Sequence, residues 1–228
     1  MPAIDVSERL RLHLGSWVGE WPPPPSGVRV VAHDARLRPT WDGTVRPLLG
    51  VGDGSGVVLS VRPDAADAVR DAVAAGLDDP GLGLRLGEIL GVGPARFGSG
   101  VFRASGDIDP TIDALGEWAA TQRSDLPEWL APFNGPRLVV RDGGHIVAGV
   151  GIKIHDEFGH ELSVVTDEAA RGRGFARRLV ATAARQVLAD GRVPVYLHER
   201  SNAASAHVAD AVGFRDEGWS VFGLWPSG

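Results

Sequence analysis

His160-Glu161-Leu162-Ser163-Val164-Val165-Thr166-Asp167-Glu168-Ala169-Ala170-Arg171-Gly172-Arg173-Gly174-Phe175-Ala176-Arg177-Arg178 is the stretch on which the reading of this chain turns. The β-branched run from Leu162 to Thr166 reads as a strand. A short acidic turn and a Gly-punctuated, Arg-dense loop follow, and then a long amphipathic helix over 174–190. On that helix Phe175, Leu179, Val180, Ala183, Val187 and Leu188 share one face. Arg171, Arg173, Arg177 and Arg178 crowd its N-terminal end, in a chain of net charge −6. The positive end of the helix dipole disfavours cations there by a few tenths to about 1 kcal/mol each. An anion held on the free backbone N–H groups and flanked by guanidinium groups accounts for the crowding. The plainer alternative is a basic surface turn paired with Asp167 and Glu168.

Working outward, Arg137–Arg141 and His145–Ile154 read as two strands joined by Asp142-Gly143-Gly144, a strong hairpin signal. Gly191 closes the long helix, Val193–Leu197 reads as a strand, Asn202–Val212 as a helix, and Gly213-Phe214 opens a last strand region ending near Leu224. Upstream, Val101–Ala104 reads as a strand, with helices expected over 110–123 and around 126–130. The Gly and Pro cluster from Gly91 to Gly100 suggests a boundary, giving a region 1–97 and a region 98–228. The first region shows an amphipathic helix over 6–18 that Pro22–Pro25 must end. It continues with strands at 28–32, 44–51 and 57–61 and helices at 64–75 and 84–90. Alternating strands and helices predict an α/β (α+β layered) fold, with a mixed, mostly antiparallel sheet flanked by helices.

Composition bounds the function. The 228 residues are 43% hydrophobic and 23% charged, as in an ordinary globular protein with a core large enough to need no staples. Without cysteine there are no disulfides, thiolate metal sites or thiol nucleophiles, which fits a reducing cytoplasm. Charged residues from Asp5 to His13 interrupt any apolar run there, so no signal peptide is expected in that stretch, and no apolar run approaches a membrane span. The acidic balance argues against nucleic acid as a partner. Oligomeric state stays open between monomer and homodimer.

Residues 137–224 resemble the acetyl-coenzyme A binding core of the GNAT acetyltransferase superfamily. That family's cofactor motif, Gln/Arg-x-x-Gly-x-Gly/Ala, is filled here by Arg171, Gly174 and Ala176. Asn202 also stands eleven residues before Gly213-Phe214, on a helix of small residues, as the family's second motif requires. Counting back to Val101, the element order agrees over roughly the last 130 residues. The region 98–228 is then a GNAT-like domain. The region 1–97 is an extra α/β part that could be a degenerate copy of the same fold, though no motif in it says so.

The resemblance implies acetyl-CoA as acyl donor and an amine, small or on a protein, as acceptor. It places the pyrophosphate on the backbone of 172–177, with Arg171, Gly172, Arg173, Gly174, Phe175, Ala176 and Arg177 around it. Gly172 and Gly174 suit close backbone approach. Pantetheine would lie along Val164, Val165 and Thr166, on a strand carrying a β-bulge, where an N–H of Val164 or Val165 would stabilise the oxyanion. Asn202 would meet the pantetheine arm, and it also suits a helix N-cap. Glu161 or His160 would be the general base, with His155 and Glu199 in reserve; on a strand, 160 and 161 face opposite sides. Family members commonly carry Tyr four residues before the Gly-Phe pair as the acid, but that position is Ala209 here. Ser205, one helical turn earlier, offers a hydroxyl instead. Tyr196, the only tyrosine, lies on a strand and does not fit that spacing. Trp118 and Trp129 are acceptor-site candidates, with buried core as the plainer reading of both rings.

Other readings fit less well. Gly172-Arg173-Gly174 misses the dinucleotide fingerprint because position 177 is Arg and the strand ends too far upstream. No Walker loop precedes Lys153, the only lysine. His155-Asp156-Glu157 with His160 reads as a polar hairpin end rather than a metal site. A non-catalytic acyl-CoA-binding module would explain the missing tyrosine. A protein-interaction role for Trp17, Trp21 and Trp41 is the remaining alternative.

Overall fold

The hairpin forms as read. In the computed structural model, which describes residues 5–119 and 126–226, β6 (Arg137–Asp142) and β7 (His145–Ile154) pair antiparallel around Gly143 and Gly144, both at positive φ. Strand β7 pairs antiparallel with β8 (Gly159–Thr166), and β8 pairs parallel with β9 (Val193–His198). The two-residue strand β5 (Glu117–Trp118) pairs antiparallel with β6, giving the order β5-β6-β7-β8-β9. Helix α4 (Phe175–Ala189) connects β8 to β9 and packs on β6 to β9, as a parallel pair demands of its crossover. Helix α5 (Ala203–Val212) follows β9 and packs against α4.

These elements belong to a compact unit of residues 1–10 and 103–216. Its core lies between the sheet and the two helices. Alternate residues Ala148, Val150 and Ile152 of β7 and Leu162 of β8 meet Leu179, Val180, Ala183 and Val187 of α4. Each fully buried aliphatic side chain there contributes roughly 1.5–3 kcal/mol. Even-numbered positions of β7 and β8 therefore face α4, and odd-numbered ones face the opposite side.

The second unit comprises residues 11–102 and 217–228. Most of α1 (Val6–Val18) lies in it, with β1 (Gly27–Ala32), β2 (Leu48–Gly52), β3 (Gly56–Val61), β4 (Ala95–Ala104) and β10 (Ser220–Pro226) in the order β1-β3-β2-β10-β4. Helices α2 (Ala66–Val73) and α3 (Leu82–Leu90) bury Val69, Val73, Leu82, Leu86 and Leu90 in its own core. The parallel pair β1–β3 is paired over all six residues, and the chain passes between those strands through a 3-10 turn (Asp34–Leu37) and β2 rather than an α-helix.

Three expectations about local structure are corrected. The strand expected over 44–51 starts only at Leu48; Pro47 lacks a donor, and the chain before it is a loop pinned by the Asp42–Arg46 ion pair. The strand expected over 101–104 begins six residues earlier, at Ala95, so part of the Gly/Pro-rich stretch is itself strand. The helices expected over 110–123 and 126–130 do not form among the described residues; 120–123 lies outside them. Competition for carbonyls explains both. Arg178 donates to the carbonyls of Asp113 and Ala114, and Arg185 to those of Asp109 and Ile112. Thr182 accepts from the N–H of Leu115, so an extended strap is tied along α4 up to Gly116, whose φ is +99°. Around 130 the buried Arg137 guanidinium donates to the carbonyls of Leu130, Ala131, Phe133 and Gly135, leaving one turn where a helix was expected.

Candidate functional site

Strands β8 and β9 part company midway. Their parallel register runs from Gly159–Val193 to Leu162–Tyr196 and stops. Ser163–Thr166 and Leu197–His198 continue as strand without pairing to each other. Ser163, Val164, Val165 and Thr166 are half-buried, and Thr166 Oγ1 is a buried hydroxyl with no hydrogen-bond partner. An opening between two parallel strands leaves backbone donors and acceptors directed into it, which an extended polar arm can pair with. The bulge expected on this strand is not there. Register between β7 and β8 is unbroken from Ala148–Thr166 to Ile154–His160, and the irregularity falls at Val140–Arg141, between β6 and β7. Backbone groups at Val164 and Val165 are thus offered by the parting of the strands rather than by a bulge.

The arginine loop lies at the end of β8. Gly172 and Gly174 sit at φ +76° and +74°, and Gly174 forms the N-cap of α4. No side chain caps the helix, so its first N–H groups have no side-chain acceptor. Nothing lies within 4 Å of where a Cβ on either glycine would stand. The four arginines divide. Arg173 pairs with Asp142 at 2.9 Å and stacks on Phe175, with its guanidinium carbon 4.6 Å from the ring centroid. Arg178 serves the strap. Arg171, whose Nε lies 3.4 Å from the Thr166 carbonyl, precedes the uncapped helix start, and the exposed Arg177 lies in the first turn of the helix. Asp142, from the neighbouring hairpin, is thus the acid that meets this loop, in place of the Asp167 and Glu168 of the plainer reading.

Glu161 and His160 lie on opposite faces, as a strand dictates. His160 stands across from Ile154, on the α4 side, and is buried. Glu161, opposite Lys153, is 4% exposed and has both oxygens engaged: Oε1 with Lys153 Nζ at 2.5 Å and Oε2 with His155 Nε2 at 2.9 Å. Burial pushes the Glu161 carboxyl up, but the Lys153 ammonium and the His155 hydrogen bond outweigh it and hold it at about 2. So acidic a carboxylate is a poor proton acceptor by itself and a good anchor for an imidazole. Asp156, at the same hairpin end, accepts from the N–H groups of Phe158 and Gly159.

Asn202 caps α5, its Oδ1 accepting from Ser205 N–H at 2.9 Å, which leaves its Nδ2 as the donor for a ligand. Ser205 Oγ is 2.9 Å from Tyr196 Oη. Tyr196 is 1% exposed, and burial holds its phenol above its ordinary value. Spacing along the chain could not show this pairing, since strand and helix meet only in three dimensions. The legible signal is that α5 begins soon after β9 and so folds back over it. Ala209, where a tyrosine was expected, is fully buried in the same core as Tyr196 and Phe214.

The two tryptophans do not share a wall. Trp118 pairs with Leu138, which is on the α4 side, and is 41% exposed at the sheet edge. Trp129 lies against Gly149, on the other face, beside Phe133 against Gly151. A Cβ at residue 151 would stand 2.0 Å from the Phe133 ring, so glycine is what lets that aromatic loop seat on the sheet. Among the described residues no cluster of three His, Cys, Asp or Glu side chains is grouped to hold a metal, and no helix is long and apolar enough to cross a membrane.

Residues 109–214 match the model of the acetyltransferase (GNAT) family. No curated protein matches the chain in sequence. Among solved structures, it is similar to a protein described as a GNAT-family acetyltransferase from Novosphingobium aromaticivorans, at 26% identity and a TM-score of 0.49, over 58% of this chain and 66% of that one. A GNAT-family acetyltransferase from Colwellia psychrerythraea is 15% identical with a TM-score of 0.46, over 62% of each chain. The chain thus spans less than two thirds of the length of either protein. A GCN5-related N-acetyltransferase from Kribbella flavida is 17% identical with a TM-score of 0.48, over 100% of this chain and 97% of that one.

Proposed function

Because residues 109–214 match the GNAT family model, we propose that the chain transfers an acetyl group from acetyl-CoA to an amine by direct attack. The observation that carries this reading is the parting of β8 from β9 after Leu162–Tyr196, leading straight into an uncapped helix start bracketed by Gly172 and Gly174. The parted strands suit the pantetheine arm, with Val164, Val165 and Thr166 supplying backbone groups. The N–H groups around Gly174, Phe175, Ala176 and Arg177, with the Arg171 and Arg177 guanidiniums, suit the pyrophosphate. The orphaned Thr166 hydroxyl adds a polar group seeking a partner.

The attacking amine must be neutral, so its proton has to leave. The Glu161–His155 pair is suited to take it, the carboxylate holding the imidazole in place and stabilising its charged form, as a buried acid does in other dyads. His160 faces the other way. Backbone N–H groups at the opening stabilise the oxyanion, and with no cysteine in the chain no thiol ester forms on the protein. The acceptor is a small amine or an exposed protein amine, in a cytoplasmic setting.

Ala209 favours one alternative, an acyl-CoA-binding module without chemistry. Free-thiol release from acetyl-CoA against a panel of amines separates the two. Transfer predicts turnover with at least one amine, a loss of about 100-fold in Glu161→Gln, and little change in His160→Ala. Coenzyme A binding without turnover of any amine supports the module, and equal turnover in both variants removes the assigned base.

A further inference from the structure

Tyr196 occupies a place that a structural role alone leaves unexplained. It is the last β9 residue paired with β8, at the level where the two strands part, and its ring faces the helix side with Leu162. A fully buried phenol needs a hydrogen-bond partner, and Tyr196 takes one on the first turn of α5, the Ser205 hydroxyl at 2.9 Å. Of the two hydroxyls the phenol is much the stronger acid, so Tyr196 donates and Ser205 accepts. That spends a lone pair of Ser205 and leaves its own proton to point elsewhere. Ser205 is only half-buried, and its backbone N–H is already satisfied by Asn202.

We propose that Tyr196 is a positioning residue that fixes the Ser205 hydroxyl as a hydrogen-bond donor to the sulfur of coenzyme A. This rests on the acetyl-transfer reading above and supplies, from a strand and a neighbouring serine, what Ala209 does not. In the transfer step the amine nitrogen bonds to the acyl carbon and the C–S bond breaks with its electron pair going to sulfur. The amine's proton passes to the Glu161–His155 pair and on to solvent. Sulfur leaves as a thiolate held by the Ser205 O–H, a charge-assisted bond stronger than one to the neutral thioester, and takes a proton from solvent on release.

The test needs no acceptor. Coenzyme A is bound to the full chain, binding is verified by calorimetry, and the bound thiol is titrated by thiolate ultraviolet absorbance. Ser205→Ala is expected to raise the apparent pKa of the bound thiol by about one unit, a tenfold loss of thiolate at a given pH. Tyr196→Phe, which keeps the ring, gives a smaller rise in the same direction, and Ser205→Thr restores the wild-type value. Combining Tyr196→Phe with Ser205→Ala adds nothing to Ser205→Ala alone. Unchanged titration in Ser205→Ala, or no effect of Tyr196→Phe in a variant that still binds coenzyme A, overturns the proposal. Failure of the wild-type chain to bind coenzyme A overturns the acetyl-transfer reading, and this one with it.

Discussion

Glu161 anchors a buried charge cluster, and replacing it by Gln should cost far more than an exposed ion pair would. Its carboxyl is held at about 2 against an ordinary 4.5, with Lys153 Nζ at 2.5 Å and His155 Nε2 at 2.9 Å. Each pH unit of that displacement is worth about 1.36 kcal/mol, so the charged form contributes on the order of 3 kcal/mol to folding. Glu161→Gln removes this and leaves the Lys153 ammonium, whose side chain is only 15% exposed, without its carboxylate. Breaking a buried pair on one side typically costs about 3–5 kcal/mol, and the two routes to the magnitude agree. The sign with pH follows from the depressed value: the contribution is complete above pH 4.5 and is lost as the pH falls toward 2. Urea unfolding at pH 7 and across pH 2–5 reads both. Wild type should lose stability down the acid limb, and Glu161→Gln should start about 3 kcal/mol lower with a flatter limb. The double replacement Lys153→Met with Glu161→Leu should recover most of the loss, since apolar groups of similar volume substitute well for a buried pair. A Glu161→Gln variant within about 0.5 kcal/mol of wild type at pH 7, a change ordinary for surface sites, would show that Glu161 anchors no buried charge cluster.

Other substitutions probe the neighbouring parts. Gly174→Ala meets no atom within 4 Å, so its cost is the left-handed backbone at φ +74° alone. About 1–2 kcal/mol is expected, with coenzyme A affinity by calorimetry falling roughly tenfold as the loop is re-aimed. Gly151→Ala drives a methyl into the Phe133 ring; overpacking of about 1–3 kcal/mol should appear in thermal unfolding, with a shift in the fluorescence of nearby Trp129. Arg137→Met strips donors from four carbonyls of residues 130–135. Unpaired buried carbonyls at about 1–3 kcal/mol each should make that loop the first site of limited proteolysis, with Arg137→Lys only partly restoring it because an ammonium cannot span the four carbonyls.

Periodic elements are legible in the sequence because their signals are local. The Asp142-Gly143-Gly144 hairpin, the buried α4 stripe of Leu179, Ala183 and Val187, and the Asn202 cap all follow from residues close together along the chain. What the sequence could not show depends on partners far away in it. The helix expected over 110–123 loses to Arg178 and Arg185, whose guanidiniums take the carbonyls a helix would need. Glu161 is legible as a strand carboxylate at the right distance from Arg171, but its engagement by Lys153 and His155 depends on the register of β7 with β8. Spacing alone sets Tyr196 aside, and only the packing of α5 on β9 brings it to Ser205. Trp118 and Trp129 are separated by the parity of strands whose pairing the sequence does not state.

Amide hydrogen exchange, with and without saturating coenzyme A, reads where the cofactor sits segment by segment. Slowed exchange is expected in two segments, Ser163–Thr166 along the parted strand and Gly172–Arg177 at the start of α4. Coenzyme A that binds while leaving both segments unprotected, or that protects only the second unit of residues 11–102 and 217–228, contradicts this placement.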